Sequence, residues 1–158
     1  MRIVVKSFFV AATLFAALAS PVLAETMEIS PNGTRKIAMG PEANFTGSVM
    51  VDSYFGANEH LPQTGALVTF LPGARSAWHT LPAGQTLIVT SGTGWVQEEG
   101  GKKHEIKPGD VIWCPPSVKH WHGATSSTSM SHIALSNVRD SKNVSWMEKV
   151  SDKQYNAP

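Results

Sequence analysis

The chain has 158 residues, a formal net charge of +1, 42% hydrophobic residues and 16% charged residues. That is one domain's worth of sequence, apolar enough for a core, with no basic run to grip nucleic acid or an anionic membrane. Its single cysteine, Cys114, excludes an intramolecular disulfide framework and a cysteine-based zinc ribbon.

Arg2 and Lys6 open the chain, an apolar run follows from Phe8 to Ala19 broken only by Thr13, and Val22-Leu23-Ala24 supplies a small-residue exit. This is the pattern of a secretory signal peptide, so residues 1–24 are expected to be cleaved. Pro21 ends the run short of the ~20 apolar residues a membrane span needs. Residues 25–158 are then expected as a single domain, exported to the periplasm or the medium and free of the membrane after cleavage. A buried unpaired thiol suits that oxidising compartment.

Beyond Glu25 the apolar pattern is short and alternating, cut repeatedly by glycine and proline. Strands are expected at 45–51, 65–71 and 86–90. Ser91-Gly92-Thr93-Gly94 turns the third into a fourth at 95–98, and Gly100-Gly101 leads to 104–106. Lys107-Pro108-Gly109-Asp110 turns into 111–114, and Pro115-Pro116 separates that strand from 119–123. A final strand is expected at 130–138, and a terminal helix within 146–155. Such spacing, with turn signals throughout, defines an all-β antiparallel sandwich or small barrel with a short C-terminal helix.

Six histidines are distributed unevenly. His60 and His104 sit among polar neighbours and read as solvated, whereas His79, His120, His122 and His132 lie in or beside apolar strands. His120 and His122 are two apart in an extended segment, so both imidazoles point to one face. Two imidazoles on the inner face of a small barrel, joined by a third from elsewhere, make a metal nest. Trp78, Trp95, Trp113 and Trp121 read as core or interface area, Cys114 as a buried inert thiol, and Arg75 as a solvated turn residue.

At these histidines the sequence resembles the cupins. Gly73-Ala-Arg-Ser-Ala-Trp-His79-Thr-Leu81-Pro-Ala-Gly-Gln85, followed by Gly92, has the spacing of the first cupin motif. Pro108-Gly109-Asp110, Pro115 and His120 follow the second. Phe45-Thr-Gly, Gly84-Gln-Thr-Leu-Ile-Val-Thr, His120-Trp-His122-Gly and Trp146-Met-Glu are similar to the small bacterial manganese-dependent cupin hydroxynitrile lyases.

The resemblance implies a divalent metal inside the barrel, held by His79, Gln85 and His120, with manganese favoured and iron or zinc also suited to imidazole and amide ligands. The family's second motif histidine falls on Leu81, which cannot ligate. The resemblance further makes His122 and His132 the candidate acid–base residues, without deciding which is the base. Ala66, Val68, Ser76 and Leu81 fall on pocket positions. It also implies a homodimer, with pairing through edge strands that hides those edges. The expected activity is cleavage of a cyanohydrin, a small carbonyl adduct. Leu81 keeps open a cupin that binds a small ligand without turnover, and iron at the same ligands would suit a dioxygenase.

Overall fold

The structure is a computed structural model that describes residues 26–158, and the signal peptide expected over 1–24 lies outside them. Numbered in chain order, the strands form two antiparallel sheets. One runs β1 (Ile37–Met39), β3 (Val49–Phe55), β4 (Gln63–Phe70), β12 (Met130–Asn137), β7 (Gln85–Gly92) and β10 (Val111–Cys114). The other runs β13 (Ser145–Trp146), β6 (His79–Thr80), β11 (His120–Ala124), β5 (Arg75–Ser76) and β2 (Phe45–Thr46). β8 (Gly94–Glu98) also pairs with β11, and β9 (His104–Ile106) pairs with β8.

The curled sheets enclose a largely apolar interior, and strands such as β12 alternate between it and the outer face. On β12, His132, Ala134 and Ser136 are buried while Ile133 and Leu135 are only half-buried on the opposite face. Phe70, Leu87, Val89 and Met130 fill the core, and full burial of a side chain the size of Phe70 or Leu87 contributes roughly 1.5–3 kcal/mol. The outer face of the larger sheet carries an apolar row too, interrupted near one edge by Asp52. Leu67 pairs with Ile133 and Ile133 with Ile88, and this row ends on Val111 at the edge.

Glycine decides where two strands begin and end. The stretch 45–51, expected as one strand, is divided at Gly47, whose φ of +77° turns the chain from one sheet to the other. Gly92, at the exit of β7, has φ +71°, and a Cβ there would stand 1.8 Å from the carbonyl oxygen of Ser129. Gly92→Ala is therefore expected to destabilise the fold by about 3 kcal/mol. Urea unfolding checks this, and a loss under ~0.5 kcal/mol would mean the turn has another conformation open to it.

The tail differs from the helix expected over 146–155. Ser145–Trp146 is a strand, and the helix α1 covers only Asp152–Asn156, started by a capping box between Ser151 and Gln154. Pairing with β6 extends the first part of the tail, and the strand partner outweighs local helical preference. Arg75, expected to be solvated, is buried and moors this tail. Its guanidinium donates to Val150 O at 3.1 and 3.0 Å and to Asp152 at 2.6 Å, and lies 4.5 Å from the centre of the Tyr155 ring.

Candidate metal centre

β11 turns His120 and His122 inward, and β6 sets His79 directly opposite His120. The ring centres of His79 and His120 are 4.4 Å apart, and those of His79 and His122 5.2 Å. One nitrogen from each of His79, His120 and His122 lies within 4.8 Å of the other two. Gln85, first residue of β7, brings its Oε1 to 3.4 Å from His120 Nε2 while its amide donates to Ser136 Oγ at 3.0 Å. The amide is thus held with its oxygen towards the imidazoles.

The hydrogen bonds behind the rings fix which nitrogens are free. His79 Nδ1 is 2.9 Å from Ala77 O, and His120 Nδ1 is 2.9 Å from Val118 O. A carbonyl only accepts, so both Nδ1 atoms carry the proton and both Nε2 atoms keep a lone pair. His122 Nδ1 lies 3.0 Å from His132 Nε2, while the outer atoms of this pair, His122 Nε2 and His132 Nδ1, are buried without a partner. In a neutral pair one inner N–H serves the central bond, so one outer nitrogen presents a bare lone pair and the other a bare N–H. His79 Nε2, His120 Nε2 and the Gln85 oxygen suit a first-row metal, so these donors fit one, and His122 Nε2 stands beside them with no protein partner, open to a proton or a substrate.

Burial keeps all four imidazoles in the neutral form that binds metal. It pushes His79 down to about 3, aided by the neighbouring His120, and His132 down to about 4. Burial also lowers His120, and it holds His122 well below 6.5 with help from the charges of His132 and His79. Cys114 is buried too, and its thiol is pushed up to about 12, which leaves it a poor nucleophile.

A cavity of about 530 Å³ opens onto His79, Gln85, His122 and His132. Ala66 and Val68 line it; Ser76 and Leu81 do not. Ser76 sits behind β11, where its Oγ accepts the His122 backbone N–H at 3.2 Å. Leu81 is 1% exposed, and its carbonyl receives the Gly84 and Ser117 N–H groups. His120 borders a second, smaller cavity instead.

The aromatic wall of the main cavity is Phe45, Phe55 and Trp146; the sequence motifs held Phe45 and Trp146 without placing them in a wall, and Phe55 lies outside the motifs. Trp146 lies 4.9 Å from the His79 ring and 5.4 Å from Phe45. The available signal was the motif Trp146-Met-Glu, which gave no direction for the ring.

Two curled antiparallel sheets with histidines of the second motif facing one of the first define a cupin. The chain belongs to the cupin family, whose domain description matches residues 66–135. It is 54% identical over 129 residues to a protein of Granulicella tundricola named (R)-mandelonitrile lyase, covering 82% of this chain and 98% of that one. A cupin-like protein from Thermotoga maritima has 35% identity and a TM-score of 0.73, covering 80% of this chain and 95% of its own. The polyketide cyclase RemF from Streptomyces resistomycificus shares the fold at 12% identity and a TM-score of 0.64, covering 82% and 91%. Different chemistries thus sit on one barrel, and the site must decide.

Proposed function

We propose that this protein is a metal-dependent lyase of the hydroxynitrile type, cleaving an aryl cyanohydrin to an aldehyde and hydrogen cyanide. The observation that carries this reading is the cluster of buried neutral imidazoles opening onto an aromatic-walled cavity. Its likeness to the Granulicella enzyme supports it. Manganese is the proposed metal, held by His79, Gln85 and His120, which leaves the lone pair of His122 Nε2 for the substrate proton. A divalent ion there supplies Lewis acidity, which lowers the pKa of a hydroxyl brought against it.

The rest falls to the chain. Phe45, Phe55 and Trp146 take the aryl group and keep out water. The neutral His122–His132 pair accepts the substrate hydroxyl proton. The O–H electron pair forms the carbonyl π bond, and the C–C pair leaves with the nitrile carbon as cyanide. Burial makes the protonated pair a stronger acid, so it passes the proton to cyanide and returns to neutral.

The test is benzaldehyde release from mandelonitrile by protein stripped with a chelator and then reloaded with manganese. Activity that follows the manganese content is expected. A fully loaded protein without turnover favours the binding-module reading that Leu81 keeps open, and oxygen uptake only after iron loading favours a dioxygenase.

Export and self-association complete the proposal. Processing after Ala24 is read by N-terminal sequencing of protein from the periplasm or medium. Dimerisation uses the outer face of the larger sheet, where Ile37, Met39 and Val111 on the edge strands are 60%, 62% and 65% exposed. Strands about 4.8 Å apart with a ~3.3 Å rise per residue give this face about 600 Å², close to the ~800 Å² per partner of a stable interface. Val111→Glu is expected to shift the mass measured by light scattering from dimer to monomer; an unchanged mass would move the interface elsewhere.

A further inference from the structure

The main cavity is a poor path for a divalent ion. Its lining contains no aspartate, glutamate, lysine or arginine, so it offers an ion neutral oxygens and nitrogens but no negative charge to draw it in. A second cavity of about 220 Å³ lies between β8, β9 and β10, and its lining differs. It carries Glu98, His104, Gln97 and Cys114 and ends on His120. The register explains this: Glu98 stands directly opposite His120 on the neighbouring strand, and His104 opposite Val96. Glu98 and His104 are exposed, whereas His120 is buried and has its Nε2 beside Gln85. One imidazole therefore separates the two cavities, with a carboxylate on its outer side.

Nearby cations are committed elsewhere. Lys119 pairs with Glu99 and Glu148 at 2.8 and 2.6 Å, and Lys103 donates to the carbonyls of Tyr155 and Ala157 over the Trp95 ring. The Glu98 carboxylate has no ion-pair partner among the described residues at that mouth.

We propose that the second cavity is the entry route for the metal ion: Glu98 and His104 collect a divalent cation at its mouth, and the ion passes beside the His120 ring to its Nε2 side, where His79 and Gln85 join in holding it. The larger cavity is left to the organic substrate, so ion and substrate approach the same centre from opposite sides. A carboxylate at the mouth concentrates a cation and speeds its capture by about an order of magnitude, an effect that salt weakens. The inference rests on the metal centre proposed above.

The experiment follows manganese uptake by chelator-stripped full-length protein in a stopped-flow instrument, with final metal content measured separately. Glu98→Gln is expected to slow uptake about tenfold and flatten its salt dependence, and Glu98→Lys to slow it further. Stoichiometry at equilibrium stays that of the parent in both. Glu98 is exposed, so neither change threatens the fold. As a control, Asn143→Asp places a carboxylate on the lining of the main cavity and is expected to leave the rate unchanged. Equal rates for the parent and both Glu98 variants at full stoichiometry would overturn the route alone, as would acceleration by Asn143→Asp. A parent that takes up no stoichiometric manganese would overturn the route and the metal centre together.

Discussion

His120→Ala is expected to lose most of its bound metal and to lower kcat/KM for mandelonitrile by about 10³, the order that several kcal/mol of lost Lewis-acid stabilisation gives. The reason is positional. His120 faces His79 across a strand pair, its Nδ1 is pinned to Val118 O, and its Nε2 meets Gln85. His122→Ala is expected to keep the metal and cost turnover, because its unpartnered Nε2 takes the substrate proton and its Nδ1 is tied to His132. His132→Asn is expected to keep the metal and lose a factor of about 10²–10⁴ in kcat, the usual worth of a positioned proton carrier. Metal analysis beside initial rates checks all three. Full metal content in His120→Ala would dismiss the donor set, and metal loss in His122→Ala equal to that in His120→Ala would make His122 a ligand and not the base.

The second large effect is acid lability of the metal-free protein. His79 and His132 titrate in the folded state at about 3 and about 4, against 6.5 as their usual value. The unfolded chain therefore binds these protons first as the pH falls. The stability conferred by two neutral buried rings is complete above pH 6.5 and is lost below it, by about 1.4 kcal/mol per pH unit for each ring. At pH 4.5 the two rings account for about 5 kcal/mol, comparable with the whole stability of many domains. His120 and His122 add in the same direction. Urea midpoints between pH 7.5 and 4.5 should fall steeply below 6.5 without metal, and manganese should move the fall to lower pH. A flat profile would mean the rings are solvated or already charged in the fold.

The strands were legible where short extended runs lie between turn signals, as at 130–138, which the structure ends at Asn137. The parity of His120 and His122 was legible for the same reason. That His79 meets them was not, because a two-residue strand such as β6 has no period to read and only its pairing with β11 brings the rings together. The sequence motifs named His79, Gln85 and His120; the contribution of His122 Nε2 depends on its hydrogen bond to a strand of the other sheet. Arg75 misled because a charged residue near a glycine turn is usually solvated. Its burial is set by carbonyls and a carboxylate from the far end of the chain. The tail was read as helix although Trp146 takes a strand partner, while the cap at Ser151 and Gln154 was present in the letters.

Trp146 reaches the reaction chamber on the end of the chain, moored by Arg75, while the metal donors belong to the barrel. For the proposed lyase, the choice of aldehyde is therefore tied to a tail that can vary apart from the barrel. Replacing Trp146 alone, with the backbone pairing to β6 kept, would recast which molecules are admitted while the imidazoles stay in place.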